Sequence, residues 1–329
     1  MEGIGQKKET DYIFDKTIKC DVCGKEFKTK QVRTGKARFI GTDDILKPLY
    51  EGIDTCKYDI IMCPHCGYAA SLRLFGHHTE KQRQAVRDNV SSRFTAKEPE
   101  TETYSYERAV KRCKMAMLTE MVTGGKISES AYLCLKLAWI YRGEIQEAKA
   151  NGAAQERISM YEKYEKEYLE DAYRGFKQAR ETEYPPIAGM DENTITYLLT
   201  SIGIHCGKID EARRYGSALL ISRTASMKLK NKTRDVLETI KKKIWTYDLV
   251  HTAVYSIVLE LIVECFNRRG IMGLAFPFMH PIIFIYNTLI IMTSMALALF
   301  FRRRMFVYSV VSVFWIGLAL TNFIILSSR

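Results

Sequence analysis

Two short cysteine runs carry the clearest chemistry in this chain. They read Cys20-Asp21-Val22-Cys23-Gly24 and Cys63-Pro64-His65-Cys66-Gly67. Each is a C-x-x-C-G step. Two thiolates spaced this way turn inward on one tight knuckle. The following glycine lets the backbone fold over and aim N–H groups at the sulfurs. Two knuckles facing each other supply four soft ligands in a tetrahedron, which suits Zn2+. The repeat of the whole step makes the signal far more specific than one C-x-x-C. A redox dithiol is the competing reading. It needs a thioredoxin-like βαβ context, which the flanking residues do not supply. The expected metal ligands are therefore Cys20, Cys23, Cys63 and Cys66. With cysteine at all four positions, none is kept for water or substrate, so the zinc is expected to be structural. His65 is surplus to a tetrahedron and is expected to face outward. Cys56 reads as a partly buried thiol. His77 and His78 read as a solvated loop ahead of a helix near Glu80–Asn89.

The knuckles need strands to hold them. Tyr12-Ile13-Phe14 leads into the first. Phe27 to Ile40 alternates as short strands do, with Gly35 and Gly41 as punctuation. Asp59-Ile60-Ile61-Met62 is a short apolar strand running into the second knuckle. Residues 1–80 thus read as a zinc ribbon with an insertion between its knuckles. The insertion, Thr42 to Thr55, is rich in Asp, Pro and Gly, and its spacing gives no role for it.

Residues 81–103 read as a polar helix and linker. Residues 104–245 turn helical. Ala131, Leu135, Ala138 and Trp139 share one face, as do Tyr161, Tyr164, Tyr168 and Leu169. Ala172, Phe176 and Ala179, with Pro185 shortly after, resemble the second helix of a tetratricopeptide repeat. Gly207-Lys208-Ile209-Asp210-Glu211-Ala212 is a second match. Gly207 would sit in a turn, and Ala212 where two helices touch closely. The expectation is an imperfect repeat array of two to three units, with a plain helical bundle as the alternative. Such an array would leave the inner face of each first helix open for a ligand.

Residues 246–329 change character. Three apolar stretches, at about 249–266, 282–301 and 305–326, read as transmembrane helices by length. The first carries Glu260 and Glu264, and an amphipathic surface helix is its alternative. Lys241–Lys243 and Arg302–Arg304 fall on one side of a three-span arrangement, which points to a multi-pass cell-membrane protein with its N-terminal domains in the cytoplasm. The overall fold class is then mainly α and multi-domain: a small β zinc ribbon, a tetratricopeptide-like α-helical array and three transmembrane helices.

Composition agrees with that plan. The 329 residues suffice for two or three units. A formal net charge of +11 fits nucleic acid or an anionic surface as partner. Nine cysteines, four of them in knuckles, do not make a secreted disulfide framework and point to a reducing compartment. The polar stretch Met1 to Thr10 lacks the apolar core of a signal peptide.

Two resemblances follow from particular residues. Cys20-x-x-Cys23-Gly24, Phe27, Arg33, Tyr50-Glu51-Gly52-Ile53, Tyr58-Asp59 and Cys63-Pro64-His65-Cys66-Gly67-Tyr68-Ala69 resemble the bacterial domain-of-unknown-function 2225 family, over residues 10–225. The resemblance implies a zinc ribbon joined to repeat-like helices and implies no reaction. Asn267-Arg268-Arg269, His280-Pro281, Tyr286-Asn287-Thr288 and Phe301-Arg302-Arg303-Arg304 are similar to the N-terminal membrane region of sulfatase-like lipoteichoic acid synthases, over residues 248–329. The chain stops at Arg329, so none of that family's catalytic residues carries over.

No phosphate loop, H-E-x-x-H or nucleophile with a base is found. Gly124-Gly125-Lys126 is too short for a P-loop and reads as a turn between helices. The leading expectation is a non-enzymatic, membrane-anchored interaction module that binds a protein or peptide through its helical array. One alternative is nucleic-acid binding by the ribbon, whose Lys16, Lys19, Lys25, Lys28, Lys30, Arg33, Lys36 and Arg38 are interleaved with Phe27 and Phe39. Another is a truncated or fused remnant of a lipoteichoic-acid-synthase-like enzyme.

Overall fold

In the computed structural model, residues 8–95 and 99–239 are described. Six short strands form three antiparallel hairpins: β1 (Ile13–Lys19) with β2 (Glu26–Val32), β3 (Phe39–Thr42) with β4 (Pro48–Tyr50), and β5 (Ile60–Met62) with β6 (Ala69–Ser71). The first and third hairpins end in the cysteine knuckles. Lys19 pairs with Glu26 across the first and Met62 with Ala69 across the third. The middle hairpin leads into the insertion: β3 ends at its first residue, Thr42, and β4 lies within it.

The strand period of two explains how the ribbon meets the rest of the chain. Ile60, Met62 and Ala69 belong to the main core, with the helices. Their neighbours Ile61 and Ala70 turn to the other side and pack with Cys20, Cys63 and Cys66. The β5–β6 hairpin is thus a shared wall, buried on both faces, and its sequence is correspondingly apolar except for Ser71.

The helices follow. α1 (Glu80–Asn89) starts from a Thr79–Gln82 capping box. α2 (Tyr106–Thr123) is capped by Ser105 and stops at Gly124, which is left-handed at φ 63°. α3 (Ile127–Ala150) and α4 (Gln155–Thr182) form one antiparallel pair, and α5 (Glu192–His205) and α6 (Ile209–Ile221) form the next. Residues 227–239 are also helical and are called α7.

Small residues let these pairs close. A Cβ on Gly175 of α4 would lie 2.7 Å from Ala131 Cβ of α3. One on Gly203 of α5 would lie 3.3 Å from Ala212 Cβ of α6. Gly207 makes the α5–α6 turn at φ 74°. The apolar stripe of α3 (Ala131, Leu135, Ala138, Trp139) is buried against Leu169, Ala172, Phe176 and Ala179 of α4 in one core. Tyr164 and Tyr168 stay half-buried and pack on the Tyr141 ring.

The insertion enters the helical array. The tip of the β3–β4 hairpin, residues 43–47, is laid across α3, α5 and α7. Ile45 is completely buried. Trp139 Nε1 donates to Ile45 O at 3.1 Å, and Tyr197 Oη donates to Asp44 O at 2.7 Å. Lys232 Nζ donates to Thr42 O at 2.7 Å. The inner face expected to be open is therefore covered by the chain's own insertion. Up to Leu237 the chain is one compact unit.

The expectation of three transmembrane helices, and with it of a multi-pass membrane location with cytoplasmic N-terminal domains, is corrected. Among the described residues, no helix is long and apolar enough to cross a membrane. α4 has the length, at 28 residues, but carries a charge on nearly every turn, including Lys163, Glu165, Lys166 and Glu170. α3, at 24 residues, is interrupted by Lys136, Arg142 and Glu144. The stretches at 249–266, 282–301 and 305–326 lie outside the described residues.

Candidate metal centre

The four cysteines converge. Their Sγ atoms all lie within 4.8 Å of one another. Cys20 Sγ is 3.7 Å from Cys66 Sγ, and Cys23 Sγ is 3.7 Å from Cys63 Sγ. Both separations far exceed a disulfide bond of about 2.0 Å. They match the edge of about 3.8 Å that four sulfurs at 2.3 Å from a central ion would have. Each close pair takes one sulfur from each knuckle, so neither hairpin can complete the cluster alone.

The two knuckles are built alike. In the first, Cys20 N donates to Lys25 O at 2.9 Å and Gly24 N to Cys20 O at 2.8 Å. In the second, Cys63 N donates to Tyr68 O at 2.8 Å and Gly67 N to Cys63 O at 2.9 Å. Gly24 and Gly67 take φ 74° and 75°, where L side chains are strained. Backbone N–H groups of Cys23 and Lys25 turn to the Cys20 and Cys23 sulfurs; those of His65 and Tyr68 turn to Cys63 and Cys66. These donors favour thiolate and stand where metal-bound sulfurs need them.

As thiols, the cluster is electrostatically awkward. The hydrogen bond from Cys20, and then burial, push Cys63 up to about 12. A dication at the centre would reverse that penalty by holding the sulfurs as thiolates. The donor set fits such an ion: four sulfurs, backbone N–H support and no oxygen ligand.

The neighbours of the cluster sort into bystanders and braces. His65 is exposed, and its Nε2 lies 3.3 Å from Glu26 O, away from the sulfurs. Cys56 is buried, and burial pushes its thiol well above the usual range, which makes it inert. His78 is half-buried and not merely part of a solvated loop: its Nδ1 lies 2.9 Å from Tyr68 Oη, which also accepts from Gly76 N at 3.2 Å. This brace fixes the backbone just after Cys66. Sequence spacing gives no sign of it, because Tyr68 and His78 lie on different segments. Both Asp21 carboxylate oxygens are buried in the first knuckle with no hydrogen-bond partner among the described residues.

A family model described as "Uncharacterized protein conserved in bacteria (DUF2225)" matches residues 13–240, more than half of the chain. The chain belongs to the DUF2225 family. The matched region takes in both knuckles, the insertion, all the helices through α6 and α7. No curated protein and no solved structure matches this DUF2225 chain. Nothing in these comparisons supports the likeness of residues 248–329 to lipoteichoic acid synthases.

Proposed function

We propose that this DUF2225 protein is a non-catalytic interaction module whose ribbon is held together by one structural zinc ion. The carrying observation is the pair of 3.7 Å Sγ–Sγ separations between knuckles, in an all-cysteine cluster that leaves no ligand position for substrate. Zinc there ties β1–β2 to β5–β6, and β5–β6 is also a wall of the helical core. The metal so placed fixes the insertion and the helices relative to each other. Its role is to build a binding surface, and the partner is a protein or peptide held by the helices.

The ribbon's own surface supports this choice over nucleic acid. Lys30 is ion-paired with Asp15 at 2.9 Å, and Lys19 sits opposite Glu26. Phe27 is buried against Phe75, so its ring is not offered for base stacking. Two of the eight basic residues, Lys19 and Lys30, are thus set against acids, and of the two interleaved aromatics Phe27 is withdrawn into the core while Phe39 stays exposed.

The test is metal extraction from the full chain. Chelator is titrated while zinc release and circular dichroism are followed together. Coincident loss of zinc and of structure supports a structural site. Release of zinc with the fold intact contradicts it.

A further inference from the structure

The hairpin tip is held in the way a bound peptide is held. Four consecutive carbonyls, from Thr42 to Ile45, accept hydrogen bonds from side chains on three helices. Lys232 of α7 donates to Thr42 O at 2.7 Å and Asp43 O at 3.1 Å. Tyr197 of α5 takes Asp44 O, and Trp139 of α3 takes Ile45 O. This reads main chain, whatever the side chains. The side chains are read separately. Arg142 Nη1 of α3 donates to Asp43 Oδ2 and Asp44 Oδ1, both at 2.7 Å. Arg142 is itself held by Glu165 Oε1 at 2.6 Å. His205 Nε2 lies 2.5 Å from Asp44 Oδ2. Ile45 fills a fully buried apolar slot, and Leu46 packs half-buried beside it.

The stalk behind the tip is different. Among the described residues, β3 and β4 pair as strands only with each other. Phe39, Ile40 and Leu49 are 49%, 67% and 37% exposed. An isolated two-stranded hairpin is marginally stable in water. Its place therefore depends on what the tip holds and on Tyr50, which packs half-buried against the Tyr12, Tyr58 and Tyr104 cluster.

We propose that the face formed by Trp139, Arg142, Tyr197, His205 and Lys232 is a peptide site for an acidic pair followed by an aliphatic pair, and that Asp43-Asp44-Ile45-Leu46 is its resident occupant. The proposal rests on the interaction-module reading and names the class of partner. A partner carrying the same acidic-aliphatic turn displaces the tip and frees the exposed hairpin. The tethered tip competes at an effective concentration of roughly millimolar, so a free peptide engages the native chain only in excess.

The probe is a fluorescent synthetic peptide of residues 41–48, Gly-Thr-Asp-Asp-Ile-Leu-Lys-Pro. It is titrated into the native full chain and into a full chain whose residues 43–47 are replaced by a Gly-Ser linker, with zinc content and circular dichroism as folding checks. The replaced chain is expected to bind at least about tenfold more tightly than the native chain. The same peptide with both aspartates changed to asparagine is expected to lose that binding. In a second arm, excess peptide is added to the native chain and hydrogen exchange is followed. The Ile45 and Lys47 amides, which donate to Asp43 Oδ1 at 3.0 and 2.7 Å, should exchange faster than with a scrambled peptide. A folded, zinc-loaded replaced chain that ignores the peptide overturns the proposal, as does unchanged exchange in the native chain. If the replaced chain does not fold, the native arm alone decides. Either failure in a zinc-loaded chain leaves the structural-zinc reading standing, because that reading fails on metal content.

Discussion

Gly24 and Gly67 occupy equal places in the two knuckles, and both have positive φ, but their surroundings differ. A Cβ on Gly24 meets nothing within 4 Å, whereas one on Gly67 would lie 2.4 Å from the Phe94 ring. Gly24→Ala is expected to cost only the left-handed backbone penalty, about 1–2 kcal/mol. Gly67→Ala adds an overpacking cost of about 1–3 kcal/mol. Urea midpoints of the two variants should therefore separate clearly, with Gly67→Ala the less stable. A second residue-scale test concerns Glu120, at the end of α2. Burial, and then the charge of Glu129, push its carboxyl up to about 7, from an ordinary 4.5. A raised folded value means the folded chain holds the proton more tightly than the unfolded one. The stability this contributes is present below 4.5 and is lost as pH rises through 7. Glu120→Gln should thus change little at pH 5 and raise the melting temperature by a few degrees above pH 8. At this scale the sequence was most readable for the cysteines, because C-x-x-C-G is a local pattern. The Tyr68–His78 brace and the burial of Glu120 depend on tertiary neighbours that local spacing cannot show.

Among the elements, the β3–β4 hairpin departs most from what spacing conveys. Its composition announces turns, and the turns are there, but its partners lie far along the chain on α3, α5 and α7. Helical rhythm in residues 104–239 was legible because each buried stripe repeats within its own element. Ala172, Phe176, Ala179 and Ala212 pack as that rhythm requires. What covers the inner face was not legible, since Asp43 and Asp44 look like any polar loop. Arg142 is the test of this contact. It balances Asp43, Asp44 and Glu165 with only 15% of its side chain exposed. Arg142→Ala removes the guanidinium shared by three carboxylates, of which Asp44 keeps His205, and is expected to cost about 3 kcal/mol or more in chemical denaturation. Arg142→Lys should recover only part of it, because one ammonium cannot reproduce the guanidinium fork. Asp44 supplies the acid-side signature. Burial opposes its ionisation, but the hydrogen bond with His205 and the charge of Arg142 outweigh it and hold the carboxyl well below the usual range. With the folded value depressed, its contribution is present above the ordinary carboxylate range and is lost as pH falls below about 4. Asp44→Asn should lower stability at pH 7 and flatten the acid limb of the stability profile.

At the scale of the molecule, ribbon and helices share one continuous wall. β5 and β6 present alternate residues to the cysteine cluster and to α2, so cutting the chain between ribbon and helices exposes one face of that wall. A fragment of residues 1–103 is expected to stay proteolytically labile even with zinc, whereas the full chain resists. Resistance of the fragment equal to that of the full chain would show the ribbon to be independent of α2. The whole construction depends on the claim that one zinc ion joins the two knuckles through sulfur alone. X-ray absorption at the zinc edge of the full chain, purified without chelator, tests it most directly. About one zinc per chain is expected, surrounded by four sulfurs at about 2.3 Å. A shell containing oxygen or nitrogen, or a folded chain without stoichiometric zinc, would contradict it.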